Sequence, residues 1–179
     1  MLCQFTAEQE GDVTLKELNY AFAPDVYPVG RLDKDSEGLL LLTNDNYLKT
    51  KYLEPVSKTP KTYLVQVEGA ITPEAIQQLA KGVNISVNGK PYRSLPAKVQ
   101  IVAEPEWLPE RHPPIRFRKE QPTSWIEITI VEGKNRQVRK MTAAVGFPTL
   151  RLVRIGIAGL TLQGIQPGEV KEIKKPKLF

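Results

Sequence analysis

Gly30-Arg31-Leu32-Asp33-Lys34-Asp35-Ser36-Glu37-Gly38 sets a carboxylate in a polar, glycine-bounded turn, with an arginine two residues ahead of it. Leu39-Leu40-Leu41-Leu42-Thr43 follows at once. That layout suits a reactive acid held at the mouth of a rigid strand, where loops usually carry function. A second chemical feature lies a hundred residues on, where Arg136, Arg139 and Lys140 alternate with apolar residues at helical spacing. Arg136 and Lys140 share one helix face, and Val138, Met141 and Val145 share the opposite, apolar one. Arg139 falls at the boundary, about 60° from Arg136 at roughly 100° per residue. An arginine there can reach inward to a carboxylate or outward to a phosphate. Asp33 is the natural inward partner. A guanidinium beside it would keep it ionised, and an ionised, partly desolvated Asp is a competent nucleophile. The residues alone equally allow Asp33 to stabilise a turn and Arg139 to be a surface cation.

Charge distribution narrows the partner. The chain carries 25 Lys and Arg against 20 Asp and Glu, a mild net +5. From Gly133 to Gly168 there is no acid at all, while Lys134, Arg136, Arg139, Lys140, Arg151 and Arg154 fall inside that stretch. Arg111, Arg116, Arg118 and Lys119 form a second basic cluster. A solvated face would mix signs. One-sided charge of this kind is the footprint of a polyanion such as nucleic acid.

Composition sets the outer bounds. The 179 residues suit one large domain, and the 41% apolar fraction allows a sizeable core. Fifteen prolines favour short strands and turns over long helices. The longest aliphatic run, Leu39 to Leu42, is far too short to span a membrane. No basic-then-apolar leader opens the sequence, so a cytoplasmic address is expected. A lone Cys3 excludes an internal disulfide and a cysteine zinc cluster, and it reads as a small apolar strand residue.

The elements that must position these groups can be read in order. Met1 to Phe5 reads as a strand, Val13 to Tyr20 as a short helix, and Leu39 to Leu42 as a central strand apolar on both faces. Asn44 or Asp45 can cap a helix that stops before Pro55. Lys61 to Glu68 alternates, with Tyr63, Val65 and Val67 on one face. A helix follows with Thr72 as N-cap, Pro73 at its first position, Gly82 past its end and Ile76, Leu79 and Ala80 as its buried stripe.

Asn88-Gly89 marks a hairpin, and Tyr92 to Ala103 continues as an edge or bulged strand around Pro96. Glu104 to Pro122 is a proline-rich loop. Trp125 to Val131 turns Ile126, Ile128 and Ile130 inward, Asn135 can cap a helix running to Val145, and strands at Leu150–Ile157 and Glu169–Ile173 close the chain. The sum is α+β: a mixed, largely antiparallel sheet with a few helices packed on it.

Gly30-Arg31-Leu32-Asp33 with Gly38-Leu39-Leu40-Leu41-Leu42-Thr43 resembles the catalytic motif of the pseudouridine synthases. Lys61-Thr62-Tyr63-Leu64-Val65 and Glu132-Gly133-Lys134-Asn135-Arg136-Gln137-Val138-Arg139-Lys140-Met141 agree in order and spacing. The third segment has the form seen in the ribosomal small-subunit synthase A group. Phe147-Pro148 and Leu150-Arg151-Leu152-Val153-Arg154-Ile155-Gly156 extend that match.

The resemblance implies a pseudouridine synthase catalytic fold over residues 1–179, a single domain with room for two sub-lobes. It implies isomerisation of a specific uridine in ribosomal RNA, large-subunit RNA being favoured within the group. Asp33 would be the nucleophile, Arg139 its partner, Tyr63 the ring that stacks on the flipped base, and Arg31 the residue filling the space the base leaves. Val138 would line the apolar pocket, with Arg136, Lys140, Arg151 and Arg154 as further RNA contacts. No cofactor, metal or membrane is implied, and a monomer is expected. The physical logic holds together, because a glycosidic bond inside a stack is reachable only after the base is extruded and held by an aromatic ring.

Two features depart from the group. The sequence begins at or after the point where a Lys-Pro segment usually falls, and no small amino-terminal RNA-binding domain precedes the motif. RNA affinity is therefore expected to be weaker than for a two-domain relative. Trp107 and Tyr92 are candidate contacts, with packing the plainer role for both, and His112 reads as a surface residue. Two other readings compete. One is a non-catalytic RNA-binding module with a vestigial site. The other is a glycosidase-like hydrolase pairing Asp33 with Asp35 or Glu37, which needs two carboxylates facing one cleft.

Overall fold

Residues 1–54, 57–115 and 121–174 are described by the computed structural model of the chain. Its framework is a six-stranded sheet. The central strand β4 spans Lys61–Glu68, flanked by β8 (Thr123–Ile130) on one side and β9 (Thr149–Ile157) on the other. Beyond β8 lies the edge strand β7 (Lys98–Val102), and beyond β9 the short β10 (Leu160–Thr161). These pairings are antiparallel, whereas β2 (Glu37–Gly38) joins β9 in parallel. The architecture is α+β, as the strand-rich pattern requires.

Alternation along β4 and β8 covers both sheet faces. Val65, Val67, Ile126, Ile128 and Ile130 turn toward α2 (Pro73–Lys81) and α3 (Gln137–Ala144), where Leu79, Val138 and Met141 complete the main core. Leu64, Trp125 and Val153 face the other way and are covered by Leu108 and Leu162. A smaller core of Val29, Leu48 and Tyr52 joins α1 (Asn46–Leu53) to β1 (Tyr27–Pro28), which pairs with β3 (Leu42–Thr43). A detached hairpin, β5 (Asn84–Val87) and β6 (Lys90–Arg93), turns at Asn88-Gly89 with both residues at positive φ.

Local chemistry explains the helices. Asp45 caps α1 through Tyr47 and Leu48, and the Thr72 hydroxyl caps α2 with Pro73 in the first position. The buried residues of α2 are Ala75 and Leu79, whereas Ile76 and Ala80, both expected in the stripe, are half-buried, Ile76 packing against the main core.

Several expected elements take other forms. Met1 to Phe5 joins no strand ladder and is held by Leu2 N–H to Val13 O and Leu15 N–H to Gln4 O. Val13 to Tyr20 shrinks to a 3₁₀ turn at Leu15–Glu17, too short for two leucines to form a helical stripe. The four leucines are not a central strand. Both backbone groups of Leu39 are taken by Arg154, its N–H donating to the Arg154 carbonyl and its carbonyl accepting from Arg154 Nε, each at 2.8 Å. Glu169 to Ile173 joins no strand ladder and is irregular, with the Glu169 carboxylate accepting from the Gln166 amide.

Candidate active site

The Asp33 turn is fastened at both ends. At its start, the Cys3 thiol accepts from the Leu32 amide at 3.3 Å, so this cysteine holds the turn rather than filling a strand. Within it, Ser36 N–H donates to the Asp33 carbonyl at 2.9 Å. At its end, β2 lies so close to β9 that a Cβ on Gly38 would fall on the Arg154 carbonyl and within 2.6 Å of its amide nitrogen. Gly38 also has φ of 106°, open essentially to glycine alone. The motif glycine is therefore a steric requirement of the parallel pairing.

The opposing wall is the segment from Glu132 into α3. Glu132 is buried without a cation, its carboxylate accepting from the Leu95 amide, the Tyr92 hydroxyl and the Gln137 side-chain amide. Gln137 in turn accepts from the Lys134 amide at 2.9 Å. These bonds order the segment ahead of α3, and the side-chain capping expected of Asn135 does not occur. The N-cap is Arg136, in the left-handed region at φ 51° and ψ 35°, with no side-chain cap. Such a conformation in a non-glycine residue costs about 1–2 kcal/mol, and it aims the side chain across the gap to the turn.

The charges meet there. Arg136 donates to both oxygens of Asp35, at 2.9 and 2.8 Å, and comes within 3.7 Å of Asp33 Oδ2. Arg139 donates to the Asp35 carbonyl at 2.8 Å and lies 3.4 Å from its carboxylate. The direct cation at Asp33 is thus Arg136. Arg139, expected to pair with Asp33, grips Asp35 and acts on Asp33 only through its field. The Arg136 hydrogen bond, more than the charges of Arg139 and Arg136, holds the Asp35 carboxyl below the usual carboxylate range. Among the described residues Asp33 has only this long ion pair, at 3.7 Å, and it keeps 32% of its side chain exposed.

Tyr63 stands on the sheet floor opposite Arg154 of β9. Burial pushes its phenol up, the Arg154 guanidinium works against that rise, and the Asp33 charge adds to it. Arg154 is 3% exposed and its Nη2 has no hydrogen-bond partner. Arg151 is also buried, donating to both Glu37 oxygens, at 3.1 and 2.8 Å, and to the Pro109 carbonyl at 2.8 Å. Arg111 of the proline-rich loop reaches the same Glu37 at 3.4 Å. Arg151 and Arg154, expected as outward RNA contacts, are internal ties instead.

Val138 packs in the main core and offers the site no open surface, Lys140 is half-buried, and Arg31 is exposed. Trp107 is exposed, whereas Tyr92 is packed. Arg116, Arg118 and Lys119 lie outside the described residues. Glu132, Gln137 and Glu37 were missed as site builders. A carboxylate and an amide within a basic stretch were the available signal for the first two. No cluster of three metal-ligating side chains occurs among the described residues. None of the described helices is long and apolar enough to cross a membrane.

The model of a protein family described as RNA pseudouridylate synthase matches residues 1–144. The chain belongs to this family. It is 54% identical over 177 residues to the ribosomal large subunit pseudouridine synthase E of Vibrio vulnificus, covering 98% of this chain and 71% of that protein. The same-named protein of Xanthomonas axonopodis pv. citri is 49% identical over 168 residues, covering 93% of this chain and 85% of its own. A crystal structure of a pseudouridylate synthase superposes with a TM-score of 0.69 at 28% identity, covering 87% of this chain and 60% of the other. This synthase is therefore an RNA-modifying isomerase of that fold.

Proposed function

We propose that this synthase converts a uridine of large-subunit ribosomal RNA to pseudouridine, with Asp33 as nucleophile. The observation that carries the reading is the state of Asp33. It is a half-exposed carboxylate with Arg136 at 3.7 Å, while every neighbouring acid is fully engaged by arginine. The names of the relatives supply the substrate class. Arg31, exposed two residues from Asp33, enters the space vacated when the base is extruded. Tyr63 stacks on the base.

The chemistry is an isomerisation. The N1–C1′ bond breaks, the freed ring turns, and a C5–C1′ bond forms. The C5 proton leaves as N1 gains one, so the step balances without a co-reactant. Arg139 and Arg136, locked on Asp35, fix the turn while Asp33 reacts. Residues 1–179 act as one catalytic unit in which the small core around α1 is a sub-lobe, and the unit works as a monomer. The setting is the cytoplasm, where ribosomal RNA is accessible. A hydrolase reading is disfavoured because both candidate second acids are gripped by arginine, Asp35 by Arg136 and Glu37 by Arg151.

The test is to map modified uridines in large-subunit ribosomal RNA from cells with and without this protein. Loss of one pseudouridine on deletion, restored by the wild-type chain, is expected. An unchanged map contradicts the reading.

A further inference from the structure

Glu132 touches none of the reacting groups, yet it is a carboxylate only 9% exposed on the wall that faces the Asp33 turn. Tyr92 Oη donates to one of its oxygens at 2.5 Å. The Leu95 amide, at 2.8 Å, and Gln137 Nε2 donate to the other. Among the described residues these three donors, rather than a cation, offset its burial.

A carboxylate accepts and does not donate. Gln137 must therefore turn its NH2 group to Glu132, which leaves its Oε1 for the Lys134 amide at 2.9 Å. The Gln137 backbone amide also donates to the Lys134 carbonyl at 3.1 Å, so the turn from Lys134 to Gln137 is closed from both sides. Arg136 lies inside that turn. Its left-handed backbone, at φ 51°, is a state that persists only where the surroundings over-determine it.

We propose that Glu132 is a positioning residue for the isomerisation: through Gln137 it holds the Lys134–Gln137 turn in the shape that aims Arg136 at Asp33 and Asp35. The proposal rests on the reaction proposed above and deepens it by naming what fixes the cation beside Asp33. The contacts are continuous. Glu132 holds Gln137, Gln137 closes the turn, and Arg136 leaves it to take both Asp35 oxygens and stand 3.7 Å from Asp33 Oδ2. Tyr92 and Leu95 bring the β5–β6 hairpin and the loop after it to the same anchor, and Lys134 Nζ lies 5.1 Å from the Tyr92 ring centroid. The hairpin thus braces the segment that carries Arg136.

The test measures kcat, KM and the Asp35 carboxyl titration for Glu132→Gln, Glu132→Met and Gln137→Met, each alone and with Arg136→Gly. Pseudouridine is read on an in vitro transcript of large-subunit ribosomal RNA, and the titration by carbon-13 NMR without RNA. Glu132→Gln should stay near wild type, because its carbonyl can take Leu95 and Gln137 while the Tyr92 hydroxyl turns to accept from its amide. Glu132→Met and Gln137→Met should lower kcat about 10- to 100-fold with KM within about twofold. Both should also raise the Asp35 pKa toward 3.8 as the Arg136 bond weakens. With Arg136→Gly neither should cost more than about a further twofold, since no guanidinium remains to be aimed. Should Glu132→Met not fold, Gln137→Met, which leaves Glu132 two of its donors, carries the comparison.

Equal losses with and without Arg136, wild-type kcat in Gln137→Met, or a Glu132→Gln as slow as Gln137→Met overturns the positioning role. No product from wild type with the Asp35 titration moving as expected removes the isomerase reading alone. Product with an unmoved titration and additive losses removes the positioning role alone.

Discussion

Arg136 holds Asp35 by a two-pronged pair at 2.9 and 2.8 Å, and the same guanidinium stands 3.7 Å from Asp33. One side chain therefore locks the turn through one acid and sets the field at the other. The left-handed backbone of Arg136 is the conformational cost of that double reach.

Arg136→Gly removes both effects together while sparing the backbone. Glycine accepts the left-handed conformation freely, so stability should hold within about 1 kcal/mol of wild type. Turnover should fall about 10- to 100-fold, because Asp35 is released and Asp33 loses its nearest cation. Thermal melts and single-turnover rates on the RNA check both halves.

Gly38→Ala should be among the most damaging single changes in the turn. The added methyl meets Arg154 backbone, which cannot swing away as a side chain would. Several kcal/mol of destabilisation is expected. A denaturant midpoint within error of wild type would refute the steric role.

Arg151→Gln should lower stability by about 1–2 kcal/mol, since it leaves Glu37 with the longer Arg111 ion pair and frees the Pro109 carbonyl. The salt dependence of RNA binding should not change, because the guanidinium is occupied internally. A slope reduced by about one would place Arg151 on phosphate instead.

Two groups predict pH behaviour of opposite sign. Asp35 has a folded pKa below the ordinary 3.8 of the residue, so its contribution is present above about pH 4 and is lost as pH falls through the lower folded value. With 41% of its side chain exposed, that contribution is small and screened, and carboxylate chemical shifts will report it better than melts. Tyr63 has a folded pKa above 10.0, so its contribution is complete below pH 10 and is lost as pH rises through the folded value. Ultraviolet titration should show a late-ionising set made up of Tyr20, Tyr52, Tyr63 and Tyr92, and Tyr63→Phe should lower its amplitude by one tyrosine.

What the sequence disclosed depended on how local the cause was. Alternation in β4 and β8, the Thr72–Pro73 helix start and the Asn88-Gly89 turn are decided by neighbours in the chain, and the structure has them all. The leucine run misleads because Arg154, distant in sequence, takes both backbone groups of Leu39. Arg151 and Arg154 sit in a stretch without acids, so they look like free cations. Their partners, Glu37 and the Leu39 carbonyl, come from the far side of the chain. The motif located Asp33 and the helix that faces it, yet which arginine takes which acid depends on the backbone twist at Arg136, which no spacing reveals.

Asp33→Asn tests the central claim most directly, because it removes the charge while keeping the shape of a half-exposed side chain whose cation neighbours Asp35 can still hold. Pseudouridine formation on large-subunit ribosomal RNA should drop below detection, while the melting temperature and RNA affinity stay near wild type. Turnover in that variant comparable with wild type would contradict the assignment of Asp33 as the nucleophile.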